Sequence, residues 1–440
     1  MIDLRRTVAL MGGLLAGLLL PPAIDGAVVG GTGVGLPVKE IRVEGRKHTR
    51  EYIITRELAT RVGESCTAET LQADVVRLLN LDIFGHVEVL ADAEADSAVV
   101  TYSVVENFPI LPSIALRITD ENGISYGGGA KTPNLFGKDI YLSGRVLFGG
   151  EQNIELELEN PWFAGNRLAY RVEYFHRNRE NVIGDFYETA DEVRLWLRVP
   201  LSTTTSLTPS YEFLSIQSDK DGVTLGEDNR DLSNRFGLAI GFDTRDAITD
   251  TRQGWNNEIK MSHDSDIFGS TTAFSQLDVD LRRYISLSEK RGQSLGLFAL
   301  LSMRSSEVGE GIAPWQRFGI GGTNTVRGWE FAAKQGKNQL LTFVEYNWTL
   351  ITPRLLKLPL NIKYRGGLQV SAFFDVGIGW DESQQFSTKE FIAGGGVGVR
   401  LLLPIISLAR FDLGVGQPGV FMRIHIGSWE KAEMARKRVR

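Results

Sequence analysis

Ile154-Glu-Leu-Glu-Leu-Glu159 narrows the fold classes open to this chain more than any other stretch. Apolar and acidic residues alternate with period two, the repeat of a β-strand whose successive side chains point to opposite faces. The same period returns at Val193, Leu195, Leu197 and Val199 against Arg194, Trp196 and Arg198. It returns again at Leu277, Val279 and Leu281 against Asp278, Asp280 and Arg282. Two architectures accept such strands. A soluble sandwich turns the apolar face into a shared core and the charged face to water. A transmembrane barrel does the reverse, with the apolar face on lipid and the charged face lining a wet lumen. Local alternation does not separate the two.

The surroundings favour the barrel. Period two persists from Phe108 to Trp429, about 320 residues, with no convincing helical stretch and no domain break. Aromatic residues stand near strand ends (Trp162, Phe163, Trp255, Trp348, Trp380, Trp429), as at a membrane interface. Sixteen strand candidates fit between 113 and 429, an even number, as a closed antiparallel sheet requires. One connection, residues 305–337, is out of scale for a turn, and loops of that length are usually functional or disordered. No later stretch approaches the apolar length of a membrane helix.

Outward from the barrel, the chain begins with Arg5 and Arg6 before an apolar run from Val8 to Leu20, which reads as a secretory signal over residues 1–27. Cleavage after Ala27 or after Gly30 fits equally. Residues 28–37 read as a linker. Residues 38–107 give strand, helix, helix, strand, strand, with Thr49 and Thr67 as helix N-caps. This is a small α+β domain with two helices on a three-stranded sheet, whose open edges could accept an extended client strand. Residues 108–112, with Pro109 and Pro112, read as a stiff hinge to a barrel over 113–429. Residues 430–440 form a basic tail.

Composition removes other classes. Of 440 residues, 48 are Lys or Arg and 54 Asp or Glu, a net charge of −6, so there is no general attraction to nucleic acid. The single Cys66 excludes an intramolecular disulfide framework and a cysteine-rich metal site. No nucleophile elbow, phosphate loop or His-Glu-x-x-His occurs, and the five histidines are scattered; neither an enzyme nor a cofactor is expected. The 48 glycines are the compositional oddity. They cluster in barrel strands, as at Gly127-Gly-Gly129 and Gly394-Gly-Gly396, where missing side chains permit bends and leave room for an inserted loop.

The long loop carries Phe318-Gly-Ile-Gly-Gly-Thr-Asn-Thr-Val-Arg-Gly-Trp-Glu330. Downstream stand Ala372-Phe-Phe-Asp-Val-Gly-Ile-Gly-Trp380, Gly395-Gly-Val-Gly-Val-Arg400 and Arg410-Phe-Asp-Leu-Gly414, and upstream Phe242-Asp-Thr-Arg-Asp246 with Gly254. With these motifs the chain resembles the BamA/TamA outer-membrane assembly superfamily. The leading domain resembles one POTRA (polypeptide-transport-associated) module. The resemblance implies a loop motif at Val326, Arg327, Gly328 and Trp329, whose arginine folds into the lumen onto carboxylates, here Asp375 and Glu345. A buried guanidinium independently requires such partners. The last strand resembles the family's recognition signal at Gln417, Gly419, Met422 and Ile424. The implied function is assembly of unfolded outer-membrane or secreted client polypeptides at the outer membrane, in contact with its lipid, with the module in the periplasm and accessory assembly proteins as further partners. A two-partner secretion translocator and a passive channel are the alternatives. The former's family carries two POTRA modules and a plug helix, which this sequence does not display.

Overall fold

The computed structural model describes residues 27–81, 83–119, 122–163, 167–246, 251–358, 362–382, 386–402 and 409–426. The expected signal lies outside these residues apart from Ala27, and the basic tail lies wholly outside them. The chain forms two units, taken in turn.

The leading domain runs β1 (Ala27–Gly30), β2 (Val38–Glu44), α1 (Glu51–Thr55), α2 (Ala68–Leu79), β3 (Phe84–Glu94) and β4 (Ser97–Glu106). Its sheet has four strands in the order β1-β3-β4-β2, one more than expected. The extra strand takes the last residue read as signal, Ala27, and the first three of the stretch read as a linker. Four residues ending at glycine are too few to show a period, and their strand character comes from the partner β3, which no local pattern announces. Thr67 caps α2 as expected, its Oγ1 accepting the Thr70 amide at 3.1 Å. Thr49 does not cap α1. The N-cap is Arg50, one residue later, with no side-chain cap.

Leu71, Val75 and Leu78 of α2 are buried, as are Val87, Val89, Val100 and Val104 of the sheet. Asp74 shares the buried face of α2. Its carboxylate accepts the Ala59 amide at 2.6 Å, the Thr60 hydroxyl at 2.6 Å and the Tyr102 hydroxyl at 2.7 Å, and pairs with Arg77. A buried carboxylate is tolerated when its lone pairs are used in this way. Burial pushes the Tyr102 phenol well above its ordinary pKa, so it stays a neutral donor.

The second unit holds β5 (Leu111–Thr119), β6 (Gly123–Leu135), β7 (Ile140–Gly149), β8 (Gln152–Phe163), β9 (Leu168–Asn181), β10 (Phe186–Pro200), β11 (Thr205–Ser218) and β12 (Arg230–Asp243). It continues through β13 (Gly254–Asp264), β14 (Phe274–Ser288), β15 (Gln293–Arg304), β16 (Phe318–Ile320) and β17 (Lys334–Gly336). The last five strands are β18 (Asn338–Leu358), β19 (Ile362–Trp380), β20 (Ile392–Leu402), β21 (Ala409–Gly416) and β22 (Gly419–Ile426). Omitting β16 and β17, sixteen strands close into an antiparallel barrel in which β22 meets β5. The barrel starts at Leu111, so the last two residues of the expected hinge are already strand, paired with Lys131 and Ala130.

The sandwich alternative ends at β8. Ile154 and Leu156 are exposed on the outside. On the opposite face, Glu155 pairs with Arg145, while Arg171 sits 3.4 Å from Glu157 and 2.5 Å from Glu159. On β12, Phe236, Leu238, Ile240 and Phe242 are all exposed, whereas Arg235 lies 3.3 Å from Glu212. Charge is inside and paired; apolar side chains are outside, the arrangement that a barrel in lipid demands.

Candidate functional site: the folded-in loop and the closing seam

Residues 305–337 are not structureless. β16 and β17 pair as a short hairpin from Phe318↔Gly336 to Ile320↔Lys334. At its tip the Thr325 hydroxyl donates to the Gly321 carbonyl at 2.6 Å and accepts the Gly321 amide at 2.7 Å. The Gly322 amide donates to the Trp329 carbonyl at 2.9 Å. Ile320 and Val326 are fully buried with Leu341 and Ile392 in an apolar cluster.

The tip presents Arg327 to the wall. Its Nε and Nη2 each lie 2.7 Å from an oxygen of Asp375, a bidentate fork, and its backbone amide donates to Asp375 at 3.0 Å. Nη2 is also 2.9 Å from Glu345, and Nη1 is 3.5 Å from Asp412. The guanidinium stacks 3.5 Å from the Phe373 ring centroid. Two further cations complete the cluster. Arg400 reaches Glu345 at 2.6 Å and Arg410 reaches Asp412 at 2.7 Å. Three guanidinium groups thus face three carboxylates. Such a buried set is tolerable because it is balanced and multiply hydrogen-bonded.

The structure therefore brings Arg327, Asp375 and Glu345 together on a loop tip, β19 and β18. Sequence reasoning assigned no role to Asp412, Arg400 or Arg410, although all three stand in the quoted motifs. In Arg410-Phe-Asp-Leu-Gly414 the charges alternate with Phe411 and Leu413, and Leu413 is exposed on the lipid side. That parity was a usable signal.

Glycine makes the seat. Gly328 adopts φ +96°, a region few side chains tolerate. A Cβ on Gly394 would stand 1.9 Å from the Arg327 carbonyl oxygen, so the loop lies flush on β20. The Trp329 indole donates to the Ala393 carbonyl at 2.8 Å. Two arginines of the last hairpin grip the loop backbone: Arg410 donates to the Thr323 carbonyl at 2.9 Å and Arg423 of β22 to the Trp329 carbonyl at 2.8 Å.

The seam joins the last strand to the first. β21 and β22 are in register from Ala409↔Ile426 to Gly416↔Gly419. Across to β5, the described residues pair at His425↔Arg117 and Ile426↔Leu116. Of the four signal positions, Gln417 is in the exposed turn, Gly419 opens β22 and Met422 is exposed on the lipid side. The Ile424 side chain lies outside the described residues.

A sixteen-stranded antiparallel barrel that follows an α+β module in the chain, with a long loop folded inward and held on the wall by Arg327, Arg410 and Arg423, defines a transmembrane β-barrel of the outer-membrane type. Residues 134–421 match the Omp85 superfamily domain and 36–107 the surface antigen variable number repeat, a POTRA module. The chain belongs to the Omp85 superfamily, with one POTRA module in the part seen here. It is 24% identical over 376 residues to the outer membrane protein assembly factor BamA of Nitratidesulfovibrio vulgaris, covering 80% of this chain and 45% of that one. The chain thus spans about half the length of this curated relative. Among solved structures, CdiB from Escherichia coli superposes with a TM-score of 0.62 at 14% identity, covering 89% of this chain and 76% of that one. BamA from Haemophilus ducreyi lacking POTRA domains 1–3 does so at 0.56 and 14%, covering 89% and 83%.

Proposed function

We propose that the chain is an outer-membrane protein assembly factor, with its POTRA module in the periplasm, that templates client β-strands at the β22–β5 seam without ATP or cofactor. The observation that carries this is the seam. Among the described residues, β22 meets β5 at His425↔Arg117 and Ile426↔Leu116, at the far end of the strand, whereas β21 and β22 pair from Ala409↔Ile426 to Gly416↔Gly419. An unpaired backbone group in lipid costs several kcal/mol, so opening at this seam is favoured only if a client strand pairs the backbone groups that the opening frees. The 24% identity to an assembly factor supports the same reading. Client polypeptides, outer-membrane lipid and accessory assembly proteins are the partners it implies.

The test is reconstitution of the full chain in liposomes, with an unfolded barrel protein as client and cysteines at Arg117 and His425 in a Cys66→Ser background. Accelerated client folding over empty liposomes is expected, lost on oxidation and restored by reduction. Undiminished activity with the seam cross-linked would refute lateral templating. Acceleration absent even from wild type, together with transport of a secreted cargo, would assign the chain to the translocators.

A further inference from the structure

The apolar outer wall does not end where the strands end. β12 shows Phe236, Leu238, Ile240 and Phe242 to the outside, and β13 sets Met261 beside Leu238 and Ile259 beside Ile240. The next outward row turns polar on β13, where His263 stands opposite Phe236 and meets the Ser275 hydroxyl at 3.0 Å. Past it the chain makes a single 3-10 turn, Asp266–Phe268, on its way to β14. Asp266, Ile267, Phe268 and Gly269 are all exposed. Ile267 is 84% exposed, more than any other large apolar side chain among the described residues. The Phe268 ring lies 4.8 Å from that of Phe236, and Phe236 lies 5.0 Å from Tyr211, whose hydroxyl donates to Asn234 at 2.8 Å. The turn therefore folds against the lipid-facing wall rather than into the lumen. An aromatic row ending in a hydrogen-bonded phenol is the pattern of a membrane-water interface.

The exposure is built into the turn. Ser265 Oγ accepts the Ile267 amide at 3.3 Å, the Ser265 carbonyl accepts the Phe268 amide at 3.1 Å, and the Asp266 carbonyl accepts the amide of Gly269, which stands at φ +81°, at 2.8 Å. Asp264, just before the turn, pairs with Arg235 in the β12 register. On the return, Ser270 Oγ accepts the Asn234 amide at 2.8 Å and the Thr271 amide donates to the Leu232 carbonyl at 2.9 Å, so both feet of the turn are tied to β12.

We propose that this turn is a membrane anchor, with Ile267 and Phe268 seated among the upper acyl chains of the leaflet on the side of the 305–337 loop and Asp266 at headgroup level. The occupant is lipid because the patch continues the wall that the barrel already turns to lipid. A preformed turn enters it with little ordering to lose. The β13–β14 connection shares its end of the barrel with residues 305–337, since β14 and β15 are joined at the opposite end by residues 289–292. Around the wall, β12 is the eighth strand counted from β5 and β13 the eighth from β22, so the anchor stands opposite the closing seam. The inference stands on the barrel in lipid and does not depend on what the chain assembles.

The probe is an environment-sensitive nitrobenzoxadiazole dye on a single cysteine of the full chain, in a Cys66→Ser background, reconstituted in phosphatidylcholine vesicles. Three positions are compared: Ile267→Cys at the turn, Met261→Cys on the lipid-facing wall, and Glu227→Cys in the loop between β11 and β12, where Glu227 is exposed. The dye at 267 is expected to be quenched by lipid carrying a doxyl group high on its acyl chain, and less by lipid carrying it near the chain end. It is also expected to resist aqueous iodide at least about threefold better than the dye at 227. Met261→Cys sets the quenching of a site wholly in lipid, and Glu227→Cys reports the affinity of the dye itself for lipid. Iodide quenching at 267 equal to that at 227 overturns the proposal, since the turn then stands in water. Protection from iodide without quenching by either lipid overturns it as well, since protein then covers the turn.

Discussion

Replacing Arg327 by alanine should free the loop while sparing the barrel. The substitution takes one of three guanidinium groups from a cluster of three carboxylates, leaving a net negative charge where Asp375 and Asp412 are almost wholly buried. It also deletes the fork on Asp375 and the contact with Glu345. Removing one partner of a buried ion pair costs about 3–5 kcal/mol, because the remaining charge is left uncompensated. That is about two to three and a half orders of magnitude in the docked-to-released ratio of the loop. Limited proteolysis of the full chain in micelles reads this ratio when reclosing outruns cleavage. Cuts mapping to 305–337 should accelerate by at least about a hundredfold, with the strands still resistant. Arg327→Lys should fall between the two, since an ammonium supplies the charge but not the fork. Adding Asp375→Ala to Arg327→Ala should recover part of the loss, a sign of coupling between the two. A cleavage rate within about threefold of wild type for Arg327→Ala would mean that the apolar cluster at Ile320 and Val326 holds the loop and the ion cluster does not.

Three other outcomes follow from the geometry. Gly394→Val places atoms where the Arg327 carbonyl sits, so loop cleavage should rise as it does for Arg327→Ala; the control Gly395→Val, whose Cβ would meet only the Phe373 carbonyl and the Phe374 ring, should leave it unchanged. Tyr102→Phe removes a donor to buried Asp74 and should destabilise the module by about 1–3 kcal/mol, read as faster alkylation of buried Cys66. The Tyr102 phenol has its folded pKa raised above the unfolded value of about 10, so its contribution is intact below pH 10 and falls as pH rises beyond it. Alkylation of Cys66, normalised to a free thiol, should therefore accelerate above pH 10 in wild type and show no such component in Tyr102→Phe. Arg423→Gln loses the charged donor to the Trp329 carbonyl, worth about 1.5–3 kcal/mol, and should raise loop cleavage less than Arg327→Ala does.

Barrel strands were legible because a wall between lipid and water writes its period directly into the chain. Leu277 to Arg282 alternates for the same reason that Leu281 is exposed and Arg282 pairs inward with Asp280. Arg327 and its partner Asp375 were legible through motif resemblance together with the cost of an unpaired buried charge. Features made by distant partners were not. β1 is a strand because β3 lies beside it, and Asp74 sits on the buried face of α2 because Thr60 and Tyr102, far along the chain, bring hydroxyls to it. Asp412 marks the boundary between the two cases. Its inward parity could be read, but its place beside Arg327 depends on how three strands and a loop tip converge.

The energies of the lumen cluster and of the seam differ in a way that orders the two motions. Arg327 binds the loop to β18, β19 and β21 through several charged contacts at once, whereas β22 holds the loop through the Arg423 hydrogen bond to a backbone carbonyl. Separation of β22 from β5 would break, among the described residues, pairing at His425 and Ile426 and, if β22 swings outward, the Arg423 contact. Under the templating proposal, a client strand would in return pair the backbone groups that the opening frees, each worth several kcal/mol in lipid. Under that proposal the seam would exchange partners while the loop stays seated on β18, β19 and β21 through Arg327. A loop released at each cycle would have to surrender the Arg327 contacts, about 3–5 kcal/mol, on top of the pairing lost at the seam.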